Sequence, residues 1–388
     1  MRVLVAAGGT AGHVVPALAV AEALRQRGVE VSFIGGQRAE ATLVPQAGFA
    51  FRSIAVEGLS RSNPLRAARA ALRSAAAVLA ARRVIAELAP DAVMGGGGYV
   101  AGPVGLAALL ARVPLVLTEA DSHLGLANRL LARGARRVCL AFALTDRAGR
   151  QLAERNARYL VTGRPIFPVT AQAADARERW LVAPGERCVL VFGGSLGARS
   201  VNLAAVEGLP PLIEQAGQPG VRVLHICGRR DYADLAGRDL PARYQLIEYL
   251  DVEDFGDALA AADLVVARSG GSVFELAAHG LPAILVPYPH AAADHQSANA
   301  HWMSDAGAAL TIPDAQLSAR RLREQVAALL GDGERLAKMA AASAALARPN
   351  AAADVADALL EAAERRRRGQ GGSDVLHRVE GADRRRAQ

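Results

Sequence analysis

Cysteines, aromatic residues and long apolar runs are scarce in this chain of 388 residues, and each scarcity removes a class of protein. The three cysteines, Cys139, Cys188 and Cys227, lie far apart and form no Cys-x-x-Cys pair. A disulfide framework and a structural zinc are therefore not expected, and a reducing compartment is the simplest reading. No window approaches the ~18 uninterrupted apolar residues of a spanning helix. The opening Met1-Arg-Val-Leu-Val-Ala-Ala7 runs into Gly8-Gly9 too soon for a signal peptide. The expected protein is soluble or rests on a membrane surface. Aromatics make up 4% and the bases are almost all Arg, which coding bias explains as well as function does.

What is present is apolar. At 52% hydrophobic residues the chain is long enough for two domains, each with its own core. The formal charge of +7 is concentrated in residues 365–388, where eight Arg face Asp374, Glu380 and Asp383, a net +5 that leaves about +2 elsewhere. So nearly neutral a body argues against a general nucleic-acid binder.

Arg2 to Ala6 reads as a strand, Gly8 to His13 as a glycine turn, Pro16 to Arg27 as a helix stopped by Gly28, and Val29 to Ile34 as the next strand. Such a unit is a parallel crossover, and its turn places N–H groups at a helix start. Alone, the turn is as consistent with structure as with a ligand loop. The unit recurs, however: Arg187 to Phe192, Gly193-Gly-Ser-Leu-Gly197, then a helix from Ala198. Two such units half a chain apart predict an α/β protein of two doubly wound, Rossmann-like domains facing across a cleft, with a linker at Gly163 to Pro168. Ala92 to Met94 leads into Gly95 to Tyr99 and an Ala-Leu helix, and Glu119 and Asp121 follow the strand Val113 to Leu117. From Arg268 to Asn299 come a strand end, Gly270-Gly271, a helix Val273 to His279 closed by Gly280, a strand Ala283 to Val286, and His295-Gln296. One long helix is expected from about Ser318 to Leu346, a last one over 350–364, and disorder in 365–388.

Residues 58–86 differ in kind: six Arg (61, 66, 69, 73, 82, 83), no acid, and Leu65, Ala68, Leu72, Ala75 and Leu79 at helical spacing. This is either a basic amphipathic face for anionic lipid, centred on Arg66, Arg69, Leu72, Arg73 and Leu79, or a solvated helix with its stripe in the core. Arg129, Leu130, Leu131, Arg133, Arg136 and Arg137 would extend the face.

Gly8-Gly-Thr-Ala-Gly-His13, Gly96-Gly-Gly-Tyr99, Gly193-Gly-Ser-Leu-Gly-Ala-Arg199, Arg268-Ser-Gly to Glu275, and His295-Gln296 with Asn299 together resemble the MurG family of glycosyltransferases over about residues 1 to 362. The family adds N-acetylglucosamine to lipid I in peptidoglycan synthesis. The resemblance implies a GT-B fold: an acceptor- and membrane-facing domain over 1–164, completed by helix 350–364, and a donor domain over 165–349. It implies UDP-N-acetylglucosamine as donor and undecaprenyl-pyrophosphoryl muramyl-pentapeptide as acceptor. Donor contacts would come from Thr10, Gly12, Asn128, Arg164, Gly194, Ser195, Gly271, Ser272, Glu275, His295 and Gln296, and acceptor contacts from Gly9, Tyr99 and Asp121. A peripheral place on the cytoplasmic face of the bacterial membrane, with other cell-wall synthesis proteins as neighbours, follows in the same way.

By spacing, Ser272 to Glu275 fits a capping box, whereas the resemblance gives Glu275 the uridine ribose. Gln296 and His295 would be solvated by themselves and sugar contacts by resemblance, an amide donating to one hydroxyl and accepting from another. Ser195 and the turn N–H groups would hold the pyrophosphate and stabilise the departing UDP. No Asp-x-Asp follows a strand, so neither metal nor cofactor is expected. An inverting displacement needs a base, and His13 is the candidate, its pKa expected to be lowered at a helix start; Glu119 and Asp121 are second choices. His13 as a phosphate contact or turn cap is the competing reading. Four features depart from the family pattern: Thr118-Glu-Ala-Asp121, Arg164-Pro-Ile-Phe167, a shorter turn before Glu275, and Leu196. A UDP-N-acetylglucosamine 2-epimerase, a diacylglycerol glycosyltransferase and a non-catalytic nucleotide-sugar-binding module are the alternatives.

Overall fold

The computed structural model describes the backbone of residues 1–56, 64–145, 150–214, 220–291 and 294–386, and side chains over the same ranges except 64–73 and 369–386. The chain divides into two compact units, Met1–Phe167 with the segment from Asn350 onward, and Pro168–Pro349.

The first unit is built on β1 (Arg2–Ala6), β2 (Glu30–Gly35), β3 (Ala50–Ser53), β4 (Ala92–Gly95), β5 (Leu115–Glu119), β6 (Arg137–Leu140) and β7 (Tyr159–Val161). They form one parallel sheet in the order β3-β2-β1-β4-β5-β6-β7. Period-2 alternation fills both faces. Val3 and Val5 pack with helix Ala11–Arg25 and the C-terminal helix, while Leu4 and Ala6 pack with Val100, Val104 and Ala107 of helix Gly98–Leu110. Direction reverses between β1 and β4, the place where open parallel sheets bind ligands beyond the strand ends.

The second unit repeats the plan with β8 (Arg187–Phe192), β9 (Val221–Ile226), β10 (Tyr244–Ile247), β11 (Leu264–Ala267), β12 (Ala283–Leu285) and β13 (Ala309–Thr311), in the order β10-β9-β8-β11-β12-β13. All its pairings are parallel, and its switch lies between β8 and β11. The glycine motifs of the sequence thus leave the strands that flank each switch.

Two expectations change. The helix expected over 318–346 is broken into Ala319–Leu330 and Gly333–Ala345. Gly331 ends the first, and the Asp332 carboxylate accepts from Arg335 N at 2.9 Å to start the second. The last helix, Ala351–Arg386, does not stop at Glu364 to leave a disordered tail. The i,i+4 pairs Arg365–Glu361 and Arg368–Glu364 favour its continuation past that point. This helix belongs to the first unit. Val355, Leu359 and Ala363 are buried in its core, and Arg137 Nη2 donates to both Glu361 oxygens at 3.1 and 3.0 Å.

Candidate functional site

In the first unit the helix 11–25 begins inside the glycine motif, five residues before Pro16. Thr10 is its N-cap, but through its carbonyl, which accepts from His13 N at 3.0 Å; its side chain makes no cap hydrogen bond. His13 therefore sits in the first helical turn. Pro16 lacks the N–H that would reach Gly12 O, and the Arg164 guanidinium donates to that carbonyl instead. Arg164, His13, Gly12, Thr118 and Glu119 line one small cavity of about 20 Å³.

Two neighbours constrain His13. Gly97 has φ +93°, and a Cβ there would lie 2.9 Å from His13 Nδ1. At Gly9, φ +116°, an added Cβ would lie 3.8 Å from the rings of both His13 and Tyr99, so the two rings flank this turn.

Glu119 is buried, and burial pushes its carboxyl above the usual range against hydrogen bonds from Gly125 N, Asn128 and Asp121 N. Gly125 N lies at 2.8 Å and Asn128 Nδ2 at 3.0 Å. Asn128 spends its other N–H on Thr118 O at 2.9 Å. Both Asn128 amide N–H groups thus pin the loop after β5. Asp121 contributes its backbone N–H to Glu119, at 3.3 Å.

Sequence reasoning missed Glu40. Its fully buried carboxylate accepts from Gly9 N at 2.9 Å, Gly36 N at 2.9 Å and the Tyr99 hydroxyl at 2.7 Å. Burial raises its pKa, but these hydrogen bonds prevail and hold it below the usual carboxylate range. Tyr99 is pushed up to about 12, by burial first and then by Glu40, so it stays a neutral donor. Nothing in the local sequence around Glu40 signals a partner 31 residues away.

In the second unit the turn after β8 is shaped by close approach. A Cβ on Gly193 would meet Ala198 at 2.4 Å, and one on Gly197 would meet Cys227 O at 1.9 Å. Gly194, φ +93°, has open space around it, and Ser195 and Leu196 are exposed at the tip. Beneath lies a buried network. Asn202 Nδ2 donates to Cys227 O and Asp231, each at 2.8 Å, so its Oδ1 must accept from His225 Nε2 at 3.1 Å. His225 Nδ1 then accepts from the Tyr244 hydroxyl at 2.8 Å. Burial lowers the His225 pKa to about 3, which keeps the ring neutral.

Arg268, left without a role by the sequence, is a clamp. It donates to Val286 O, Pro287 O and Ser200 Oγ and pairs with Asp314 at 2.7 Å, tying the β11 turn to the start of helix Arg199–Gly208. Ser272 is the N-cap of helix Val273–Ala278, but it has αR geometry and no side-chain cap hydrogen bond, so its half of the capping box around Glu275 is not made. Gly271 and Ser272, half-buried, lead into that turn. Gln296 and His295 open helix His295–Asp305. The Gln296 Oε1 accepts from Tyr288 N at 2.9 Å, which turns its Nε2 toward Gly270. The Oε1 keeps a second lone pair, so both amide functions remain chemically available. Asn299 Nδ2 donates to Ser269 O at 3.0 Å and holds the same turn.

The Arg66, Arg69, Leu72 and Arg73 side chains lie outside the described residues. In the described part of helix Pro64–Leu88, Ala77, Ala81 and Ile85 face the core while Leu79 is 57% exposed. Leu110 and Leu130 are also exposed, as are Arg129, Arg133 and Arg136. Leu131 and Arg137 leave the proposed face, the first buried and the second paired with Glu361. Among the described residues no helix is long and apolar enough to cross a membrane.

Residues 3–140 match the glycosyltransferase family 28 N-terminal domain and residues 188–357 the family 28 C-terminal domain. The UDP-N-acetylglucosamine–N-acetylmuramyl-(pentapeptide) pyrophosphoryl-undecaprenol N-acetylglucosamine transferase of Moorella thermoacetica is 41% identical over 94% of this chain and 100% of its own. The crystal structure of Acinetobacter baumannii MurG is similar with a TM-score of 0.70 at 32% identity, covering 93% of this chain and 99% of that one. A UDP-GlcNAc 2-epimerase from Neisseria meningitidis shares the fold alone, with a TM-score of 0.62 at 14% identity, over 93% of this chain and 100% of that one. With glycine turns at the switch points of two parallel sheets and these relatives along nearly its whole length, the chain belongs to the MurG family within glycosyltransferase family 28.

Proposed function

We propose that this protein is an inverting N-acetylglucosaminyltransferase, moving the sugar from UDP-N-acetylglucosamine to the 4-hydroxyl of the muramyl residue of lipid I, with lipid II and UDP as products. Its 41% identity to a transferase named for this reaction, over 94% of the chain, carries the reading. The second unit takes the donor: Gly194 and Ser195 at the pyrophosphate, Glu275 at the ribose, and His295 and Gln296 at the sugar. Exposed N–H groups of the β8 turn stabilise charge developing on the departing UDP, so the mechanism calls on no metal or cofactor. The first unit takes the acceptor at Gly9, Tyr99 and Asp121. His13 accepts the proton of the attacking hydroxyl, and Glu119, which lines the same small cavity, is the second candidate. Thr10, Gly12 and Arg164 shape the helix start that carries His13, with Arg164 seated on the Gly12 carbonyl.

The exposed Leu79, Leu110 and Leu130 with Arg129, Arg133 and Arg136 make a basic, apolar surface suited to the anionic cytoplasmic leaflet, where the acceptor lies. An acceptor-dependent transfer assay with a lipid I analogue tests the function, comparing UDP-N-acetylglucosamine with UDP-glucose. His13→Ala is expected to lose ~10²- to 10⁴-fold in turnover while still binding donor. Failure of the wild type to transfer to any muramyl lipid would sink the reading, and consumption of donor without acceptor would favour an epimerase.

A further inference from the structure

We propose that Glu40 is a positioning residue for the acceptor side of the reaction, holding the Gly9 turn and the Tyr99 ring in place beside His13. The inference rests on the transferase reading above. Glu40 opens helix Glu40–Gln46, yet its carboxylate turns back under the sheet's C-terminal edge. There it accepts from the turn after β1 through Gly9 N, from the turn after β2 through Gly36 N, and from helix 98–110 through Tyr99. Three successive connections beside the β1/β4 switch thus share one anion.

The fit is close on every side. A Cβ on Gly8 would meet Glu40 Oε1 at 2.8 Å, one on Gly35 would meet its Cγ at 2.8 Å, and one on Gly36 would meet the Tyr99 hydroxyl at 2.0 Å. Tyr99 in turn sits beside Gly9 opposite His13, with the Arg38 guanidinium 4.8 Å from its ring centroid. Glu40 is wholly buried and cannot touch substrate, so its effect must pass through the groups it holds. Only a carboxylate offers acceptors to two backbone N–H groups and a phenol at once.

Steady-state kinetics on the full chain with a lipid I analogue tests this. In Glu40→Gln the NH₂ end of the amide must face a backbone N–H, so one turn is released. We expect kcat/KM for the acceptor to fall ~100-fold, the scale of a misplacement of about 1 Å, with the donor KM within about twofold of wild type. Glu40→Asp, too short to span both turns, should not rescue. Tyr99→Phe removes the phenol's bond to Glu40 while leaving both backbone N–H bonds of the carboxylate, and should lose about tenfold in the same acceptor-specific pattern. Acceptor kinetics in Glu40→Gln equal to wild type would overturn the assignment, as would an equal loss of donor affinity. If Glu40→Gln does not fold, Tyr99→Phe decides alone, and wild-type acceptor kinetics in it would overturn the assignment. Inactivity of the wild-type chain would instead refute the transferase reading.

Discussion

Acidification should unfold the second unit in a manner set by two buried imidazoles, His225 and His279, in about equal parts. This imidazole is buried between Asn202 and Tyr244, and burial takes its pKa from 6.5 to about 3. A base whose folded pKa is depressed contributes stability that is complete above its unfolded pKa. That stability drains away as pH falls toward the folded value. Between pH 7 and pH 5 the loss from His225 is about 2 kcal/mol, against a typical domain stability of ~5–15 kcal/mol. His279, lowered to about 4 by burial, adds a similar slope. The chain's two tryptophans, Trp180 and Trp302, both lie in this unit, so their fluorescence reports its unfolding alone. In urea, the wild-type midpoint should drop by about 2 M from pH 7 to pH 5, and that of His225→Leu by only about 1 M. At pH 7 the variant should already be weaker by ~1–3 kcal/mol per stranded partner, because Asn202 Oδ1 and the Tyr244 hydroxyl lose their imidazole. A His225→Leu protein keeping the full wild-type pH slope would refute the argument.

Arg268→Ala strands two carbonyls and leaves Asp314 with the Ser200 hydroxyl alone, and should cost the second unit about 3 kcal/mol, read by the same fluorescence. Gly97→Ala forces a left-handed residue and presses a methyl on His13 Nδ1; transfer should fall at least about tenfold while the tryptophan-reported transition stays in place. Leu79→Glu with Leu130→Glu should weaken sedimentation with anionic vesicles and leave transfer to a water-soluble acceptor analogue unchanged; equal binding would remove this surface from the membrane proposal.

Strands and glycine turns were legible because their signals are local: β-branched runs, then residues for which only glycine fits. Helix ends were less so. Pro16 looked like a first-turn proline, but Arg164, 152 residues from Gly12, takes the Gly12 carbonyl that the proline leaves bare, and the helix could begin at Ala11. The capping-box pattern at Ser272 failed because the backbone enters that helix already in αR geometry. Glu40 and Arg268 were illegible for one shared reason. A charged residue inside an otherwise ordinary stretch reads as surface, and only the folded sheet brings it under turns from distant strands. Glu119 stood out in the sequence with Asp121 beyond the strand end and Asn128 only by resemblance, and spacing could not tell that Glu119 and Asn128 bond to each other and to their own loop.

The place of the last helix has a consequence for synthesis. Val355, Leu359 and Ala363 complete a core whose members outside this helix, from Val3 to Cys139, leave the ribosome more than two hundred residues earlier. The second unit, continuous from Pro168 to Pro349, has all its residues before that helix is made. The nascent chain therefore carries one unit able to close on its own and another with an apolar strip still open, the state most exposed to aggregation and to chaperones. A chain cut at Asn350 would hold that strip open permanently.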